Sequence, residues 1–178
     1  ADIDIKYSEG FSPHQIMSFA APLGVGITSD GEYLDIEVNS TETTEQSIVN
    51  LNSAMVDGVK ILEYKKLPDP AKNAMSIVAA ADYKIYIKDG YENPCSVEEW
   101  RSRLNTFFYD RAEVLITKKT KKSEKVMDLK QLVYDFKILE EQGKPIFYLK
   151  VCTGSTDNLK PELVLQAFYE FLSLEYQE

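Results

Sequence analysis

The single histidine of the chain, His14, lies in the segment SEGFSPHQIMSF (residues 8–19), just before an apolar run. An imidazole can bind a phosphate, transfer a proton or ligate a metal ion near neutral pH. A metal site is disfavoured, because the chain has no second histidine and no cysteine lies nearby. We therefore predict a substrate-binding loop formed by Gly10, Ser12, Pro13 and His14. The alternative is a histidine that hydrogen-bonds the backbone and orders the turn before the strand.

A run of lysines between two strand-like segments is the second candidate. It comprises Lys118, Lys119, Lys121, Lys122 and Lys125. In an acidic chain this run is the local basic patch best suited to contact phosphate, and Lys118, Lys119 and Lys121 are the predicted contacts. No aromatic residues interleave the lysines, as a platform for base stacking would require. The alternative is a solvated hairpin tip with no ligand.

The segment TGSTDN (residues 153–158), which leads into the last predicted helix, is the third candidate. Backbone N–H groups at a helix N-terminus favour an anion, and hydroxyl and amide side chains add donors. Gly154, Asn158 and Lys160 are therefore predicted to contact the substrate. The segment is not a P-loop, because the GxxxxGK[ST] pattern is missing. Its alternative role is ordinary capping of the helix.

Composition limits the classes of function. The chain has 178 residues, of which 44% are hydrophobic and 28% charged, as is typical of one globular domain or two small ones. Its formal net charge of −9 opposes tight, non-specific binding to nucleic acid or anionic lipid, because phosphates would be repelled. A local basic patch is still allowed.

The two cysteines, Cys95 and Cys152, lie far apart and form no CxxC pair. This spacing excludes a disulfide-rich scaffold, a structural zinc site and an iron–sulfur cluster with the usual cysteine ligands. No metal is predicted. The sequence shows no signal peptide and no apolar run long enough to span a bilayer, so we expect a cytoplasmic setting and no membrane partner.

The predicted helices and strands must position these candidate residues. Alternating apolar residues predict a β-hairpin over residues 16–38, and a stripe at helical spacing predicts a helix over 42–56 that ends at Gly58. A capping box of Ser96 and Glu99 predicts the start of another helix. The remaining elements are predicted as strands at 59–64, 83–87, 112–117, 126–139 and 146–152, and as helices at 71–80 and 160–172. A turn through Gly143 is predicted between the last two strands.

This order of elements predicts an α+β fold built from two ferredoxin-like halves, each related to the βαββαβ unit. We expect mainly antiparallel sheets with helices on one face. Residues 1–68 would form the first half, which lacks its opening strand and helix. Residues 69–178 would form the second half, which carries an inserted hairpin. An open edge on the first sheet would permit a homodimer.

Three stretches of the chain carry a family likeness. YSEGFSPH, SFAAPLGVG and GEYLDIEV lie near the start, EVLITKKTKKSEKVMDLKQLV contains the lysine run, and TGSTDNLKPELVL leads into the last helix. Together they resemble a bacterial domain of unknown function that is linked to radical S-adenosylmethionine proteins. That family has a basic residue shortly after the histidine, where this chain has Gln15-Ile16-Met17. It also begins with a strand and a helix that carry a Ser-His-Leu-Asp motif. These elements would precede the first residue here, so a site shared with that helix would be incomplete.

The resemblance implies an accessory domain that serves a radical enzyme, in cis or in trans. That radical SAM partner would carry the iron–sulfur cluster and S-adenosylmethionine, while this chain would hold no cofactor. Genes of the family lie near those of ribosome and RNA metabolism, which implies RNA, or another phosphate-bearing molecule, as the substrate. The domain itself is expected to bind rather than to catalyse.

Two other functions stay open. The tandem ferredoxin-like layout is also that of tRNA pseudouridine synthases, by analogy of fold alone, and their Gly-Arg-Thr-Asp loop is absent. An RNA-modifying enzyme of that type would need a carboxylate, Asp35 or Asp128, at the floor of a cleft between the halves. On the residues alone, Asp35 fits the polar face of a strand and Asp128 fits a pair with a hairpin lysine. A scaffold that only binds the partner protein would present a large apolar surface patch.

Overall fold

The computed structural model describes residues 1–119, 124–154 and 157–177. The chain divides into two compact units, Ala1–Val78 and Ala79–Glu178, which we call unit 1 and unit 2. Unit 1 contains β1 (Met17–Phe19), β2 (Leu34–Ile36), α1 (Thr44–Ser53) and α2 (Ala74–Ile77). Unit 2 contains β3 (Ala80–Tyr86), α3 (Val97–Leu104), which continues into a π-helical turn (Asn105–Tyr109), β4 (Leu115–Lys119), β5 (Glu124–Asp128), α4 (Leu129–Leu132), β6 (Val133–Glu141), β7 (Lys144–Cys152) and α5 (Pro161–Phe171).

The predicted β-hairpin of unit 1 is present as a short antiparallel pair of strands. β1 lies against β2 with Met17 opposite Ile36. An isolated antiparallel bridge between Ile5 and Val38 extends the pairing to the first residues of the chain. The predicted pairing is confirmed, although the regular strands are much shorter than the alternating pattern indicated.

Helix α1 is shorter than predicted. It begins after Thr43, whose hydroxyl caps the first turn, and it ends at Ser53. It ends there because the N–H of Ala54 turns back to the carbonyl of Leu51 at 3.1 Å. The prediction that Gly58 caps this helix is therefore wrong, and Gly58 takes a φ of 87° in the loop beyond it.

Residues 59–64 form no strand, contrary to the prediction. The side chain of Asn52 binds both backbone groups of Ile61 instead. Its Oδ1 accepts the Ile61 N–H at 2.8 Å, and its Nδ2 donates to the Ile61 carbonyl at 3.0 Å. Because each backbone group needs one partner, an amide side chain here replaces the neighbouring strand that the alternating pattern required.

Unit 2 is built on an antiparallel sheet with the strand order β3–β7–β6. The hairpin between β6 and β7 turns at Gln142 and Gly143, whose φ angles are 51° and 76°. Two successive positive φ values suit a two-residue hairpin turn, because they match the twist of the flanking strands. The predicted turn at Gly143 is confirmed.

One face of this sheet carries the core of unit 2. Alternate residues of β7 lie there and are at most 1% exposed: Phe147, Leu149 and Val151. The Trp100 ring of α3 meets Phe147 edge-on, with 5.1 Å between ring centroids. Phe168 of α5 meets Phe136 of β6 at 5.6 Å. Both helices therefore cover the same face of the sheet, as predicted.

Helix α3 begins at the predicted capping box. The Ser96 hydroxyl accepts the Glu99 N–H at 3.2 Å, and the Glu99 carboxylate accepts the Ser96 N–H at 2.7 Å. These hydrogen bonds to Ser96 lower the pKa of Glu99, because they stabilise its ionised form. The start of α3 is thus fixed by local sequence, and the prediction is confirmed.

The predicted strand over 126–139 is interrupted by the short helix α4. Asp128 causes the interruption, because its Oδ1 accepts the N–H groups of Lys130 and Val114, each at 3.0 Å. The same carboxylate thus caps α4 and holds the chain just before β4. Strand β6 follows directly and contains a bulge between Val133 and Asp135.

The α+β class and the antiparallel sheets are confirmed. The assignment of residues 1–68 and 69–178 to two ferredoxin-like halves stays a prediction. In the part of the chain that the structure describes, no helix is both long and apolar enough to cross a membrane.

Candidate functional site

The hairpin of β4 and β5 places two lysines directly opposite each other. Lys118 on β4 faces Lys125 on β5, and the next pair on the same side is Ile116 with Met127. Met127 is buried in the core of unit 2, so packing from the inside fixes the register of the hairpin. Because side chains alternate along a strand, both lysines project from the same side of the hairpin as Met127. We call Lys118 and Lys125 the lysine pair.

The lysine pair meets the loop between β7 and α5. The Nζ of Lys118 donates to the carbonyl of Asn158 at 3.4 Å, and the Nζ of Lys125 lies 3.3 Å from Oδ1 of Asp157. These partners are 40 and 32 positions apart in sequence. The structure therefore brings together two of the predicted sites, the lysine run and the TGSTDN segment.

The loop between β7 and α5 is closed by contacts of its own. Thr153 and Asn158 form an isolated antiparallel bridge, and the N–H of Leu159 donates to the carbonyl of Cys152 at 3.0 Å. The Cys152 thiol donates to the carbonyl of Asp157 at 3.3 Å. These contacts fix both ends of the loop. As a result, Asp157 and Asn158 are held in place beside the lysine pair.

Charge in this region is only partly balanced. Like charges directly opposite each other on two strands repel, so the lysine pair destabilises the hairpin. Asp157 offsets one of the two charges through its ion pair with Lys125. The contact that the structure describes for Lys118 is to a neutral carbonyl. Among the contacts of the described residues, no carboxylate offsets the charge of Lys118, so a phosphate group would be stabilised at this point.

The N-terminus of α5 is a weaker anion site than its sequence indicated. Its N-cap residue is Lys160, which makes no side-chain capping bond in the described structure, and Pro161 fills the first helical position. The alternative that the TGSTDN side chains cap this helix is thus wrong for the described residues. Glu162 already supplies, in the first turn, the negative charge that the helix dipole favours. An anion is therefore better accommodated at the lysine pair than at the helix end.

Tyr134 adjoins the same loop and was missed by the sequence analysis. Its hydroxyl hydrogen-bonds Cys152, and this contact, with partial burial and the nearby charge of Asp157, raises the pKa of Tyr134. The tyrosine is 54% exposed on β6. Asp157 was missed as well, since only the fold brings it to Lys125. Lys125 itself belongs to the lysine run, and the register of the hairpin is the signal that selects it.

For the other residues predicted to contact a substrate, the structure gives at most a position in the fold. Lys119 is the last residue of β4, where only its backbone is described, and Lys121 lies outside the described residues. Gly154 follows the bridge residue at the end of β7, and Lys160 precedes α5. Their contacts with a substrate stay predictions.

The histidine loop belongs to unit 1 and is fastened by Ser8. Ser8 Oγ lies 2.9 Å from His14 Nδ1 and accepts the His14 N–H at 3.1 Å. The Ser8 N–H in turn donates to the His14 carbonyl at 2.8 Å. These contacts order the loop, but the imidazole bonds the Ser8 hydroxyl, whereas the alternative role for His14 required a bond to the backbone. Gly10, Ser12 and Pro13 are exposed around it, and substrate binding by the loop stays a prediction.

Both carboxylates considered for catalysis hold backbone groups. Asp35 Oδ2 accepts the N–H of Ala74 at 2.5 Å and so holds the start of α2. Asp128 caps α4 in the same manner. Among the residues described, no group of three or more His, Cys, Asp or Glu side chains is placed to hold a metal ion.

Comparison with known proteins bears on the whole of this region. The model of the family DUF2344, described as uncharacterised proteins conserved in bacteria, matches residues 1–161. This range includes the histidine loop, the lysine pair and the loop between β7 and α5. No curated protein and no solved structure matches the chain.

Proposed function

The chain belongs to the bacterial family DUF2344, and from this starting point we propose that it is an accessory domain that binds RNA, or another phosphate-bearing substrate, for a radical S-adenosylmethionine protein. The observation that carries the proposal is the lysine pair. Two cations face each other on a hairpin, and the ion pair that the described residues of the neighbouring loop supply is to Lys125. Like charges opposite each other lower the stability of a hairpin, and a bound phosphate would offset this cost.

The chemistry of the pair suits a phosphate partner. Lysine ammonium groups are strongly hydrated point charges that bind phosphate oxygens without demanding one fixed geometry. Most of the Lys125 side chain is open to solvent, so a ligand can reach it. Asp157 sets the strength of the site, because any bound anion competes with this carboxylate for Lys125. Binding of moderate affinity that depends on salt is therefore expected.

A binding role accounts for the carboxylates better than a catalytic one does. In a pseudouridine-synthase type of enzyme, Asp35 or Asp128 would have to act on the substrate. Asp35 instead accepts the N–H of Ala74 at the start of α2, and Asp128 accepts the N–H of Lys130 at the start of α4 and that of Val114 just before β4. Both carboxylates therefore hold backbone groups in place.

The chemistry would come from the partner. We assign the iron–sulfur cluster and S-adenosylmethionine to the radical SAM protein, on the basis of the resemblance of the YSEGFSPH, lysine-run and TGSTDN segments. In a reducing, cytoplasmic setting, the two free cysteines of this chain, Cys95 and Cys152, would stay reduced. The domain would hold the substrate while the partner acts on it.

The binding half of the proposal is tested by fluorescence anisotropy with a labelled single-stranded RNA of mixed sequence. The double variant Lys118→Gln/Lys125→Gln is expected to weaken binding at least several-fold. Lys60→Gln/Lys72→Gln is the matched control, because it removes the same charge from exposed lysines of unit 1. Equal weakening by the two double variants would contradict a site at the lysine pair.

The partner half is tested separately. The full chain, immobilised under anaerobic conditions, is offered the purified radical SAM protein encoded in the same genome. Retention of that protein with its cluster is the expected result. If it passes through unretained, both with and without RNA, the chain does not serve it.

A further inference from the structure

The sheet of unit 2 has a second face, which α3 and α5 do not cover. Residues that alternate with the buried positions of β7 point to it, and we call this surface the open face. Its polar and aromatic residues are Asp82, Lys84 and Tyr86 from β3, Tyr148 and Lys150 from β7, and Asp135 and Lys137 from β6. Tyr134, in the bulge of β6, joins them through its contact with Cys152. The register also puts Ala80, Leu139, Ile146 and Cys152 on this face, which is therefore mixed, whereas the opposite face is apolar.

The register of the strands arranges these side chains in rows. Tyr148 on the central strand has Lys84 on one side and Lys137 on the other. In the next row, Lys150 lies between Asp82 and Asp135. An aromatic ring between two cations is an arrangement that suits a nucleotide, whose base stacks on the ring while its phosphate meets the lysines.

Tyr148 is held in a fixed position at the centre of the open face. Its hydroxyl donates to the Asp82 carboxylate, and this contact raises the pKa of Tyr148 to about 12. The Nζ of Lys137 lies 5.9 Å from the centre of the Tyr148 ring and also pairs with Asp135. Both aspartates thus have partners on the face, which reduces their repulsion of an anionic strand.

Two further tyrosines flank this centre. Tyr86 is 55% exposed and lies opposite Ile146, while Tyr134 is 54% exposed and hydrogen-bonds Cys152. Cys152 lies six positions after Ile146 on β7, which corresponds to about 20 Å along the strand. The three tyrosines, one from each strand, therefore form a diagonal that spans a few nucleotides.

The diagonal ends at the lysine pair. Tyr134 contacts Cys152, whose thiol donates to the carbonyl of Asp157, and the Asp157 carboxylate pairs with Lys125. All of these contacts lie within unit 2. A strand that crosses the open face would therefore place its next phosphate at the lysine pair.

We infer that the open face binds single-stranded nucleic acid, with bases stacked on Tyr86, Tyr148 and Tyr134 and the backbone continuing to the lysine pair. This inference rests on the proposed function and narrows its substrate from any phosphate-bearing molecule to an unpaired strand. A duplex is excluded as the ligand, because its bases are stacked on each other and cannot reach the tyrosines. The face itself carries little excess charge, so stacking, rather than phosphate contact, supplies its share of the affinity.

The test compares two ligands and two classes of variant. A labelled single-stranded RNA of twelve mixed nucleotides and inorganic tripolyphosphate are titrated against the full chain, with a DNA strand of the same sequence and an RNA duplex as competitors. Tyr86→Ala and Tyr134→Ala are each expected to weaken RNA binding about 5- to 100-fold, the range for loss of one stacked base. Tripolyphosphate binding is expected to stay unchanged in both variants. The conservative variants Tyr86→Phe and Tyr134→Phe keep the ring and should keep the affinity.

Tyr33→Ala is the matched control, because it removes an exposed tyrosine from unit 1. A weakening by Tyr86→Ala that exceeds this control supports the inference, and competition by the DNA strand as well as by RNA shows that the face does not select the sugar. RNA binding that is insensitive to both alanine variants would overturn the inference and leave the proposed function standing. Tight binding of the duplex to the same site would also overturn it. Failure to bind either RNA or tripolyphosphate would overturn both.

Discussion

Unit 2 buries its own apolar side chains, whereas unit 1 buries almost none. In unit 2 a continuous cluster that includes Trp100, Phe136 and Phe168 is shielded from solvent. Within unit 1, all of whose residues are described, only Ser47 and Ala74 are buried. Burial of apolar surface is the main favourable term in folding. Unit 2 is therefore specified by its own core, while strand pairing and side-chain hydrogen bonds hold unit 1.

The two units also differ in charge. Unit 1 has five lysines and twelve acidic residues, while unit 2 has fifteen basic and seventeen acidic residues. The acidity of the whole chain thus comes mainly from unit 1. Unit 2 is close to neutral and carries the lysine pair. A net charge that opposes binding of nucleic acid by the whole chain does not oppose it for unit 2.

The largest loss of stability is expected from a substitution in the core of unit 2. Phe168 is fully buried against the rings of Trp100, Phe107 and Phe136, so Phe168→Ala should cost about 3–5 kcal/mol in free energy of unfolding. Phe19 of unit 1 is half exposed, and Phe19→Ala should cost less than about 1 kcal/mol. Urea unfolding followed by circular dichroism checks both values. Equal costs would show that unit 1 has a core of comparable strength.

Helix caps give a smaller and matched pair of effects. Ser96 caps α3 in unit 2 and Thr43 caps α1 in unit 1, each by accepting a backbone N–H. Loss of such a cap costs about 1 kcal/mol. Ser96→Ala should lower the unfolding midpoint seen by fluorescence of Trp100, the single tryptophan of the chain. Thr43→Ala should leave that midpoint unchanged and instead speed amide exchange in α1. A shift of the Trp100 midpoint by Thr43→Ala would contradict this prediction.

Acid should weaken each unit through a different carboxylate. Hydrogen bonds from Ser96 lower the pKa of Glu99 from its ordinary value of 4.5, and those from Asn39 and Ser40 lower the pKa of Asp4 from 3.8. A lowered folded-state pKa means that the stabilisation is complete above the ordinary value and is lost as the pH falls through the folded value.

Unfolding measured between pH 6 and pH 3 should therefore lose stability at the acid end. Glu99→Gln should flatten the pH dependence seen by Trp100, and Asp4→Asn should leave it unchanged. Amide exchange near Val38 should show the reverse response, because Asp4 ties the start of the chain to Asn39 and Ser40. If Glu99→Gln and Asp4→Asn changed the pH profile of Trp100 equally, the expected difference between the two units would be contradicted.

Local signals predicted the elements whose contacts are local. Ser96 and Glu99 lie three positions apart, so their capping box is visible in sequence, and Gly143 marks a tight hairpin in the same way. The errors arise where a distant side chain intervenes. Asn52 hydrogen-bonds the backbone of Ile61, and Asp128 accepts the N–H of Val114. Neither hydrogen bond leaves a periodic pattern in the sequence.

The same distinction between local and distant contacts applies to the candidate site. Lys118 could be selected by its type and by the lysines around it. Its contact with Asn158, and that of Lys125 with Asp157, depend on how the hairpin packs against the rest of unit 2, which the sequence does not encode locally. Tyr134 was missed for a related reason, since a bulge after α4 sets its position and the strand was predicted as continuous.

The salt dependence of RNA binding tests directly whether the lysine pair binds phosphate. Each phosphate contact on a single strand adds about 0.7 to the slope of log K against log salt concentration. We expect Lys118→Gln/Lys125→Gln to lower the magnitude of this slope by about 0.7 relative to the unaltered chain, because Asp157 offsets one of the two lysine charges. Lys60→Gln/Lys72→Gln should leave it unchanged. If the slope were the same in all three proteins, the lysine pair would make no phosphate contact.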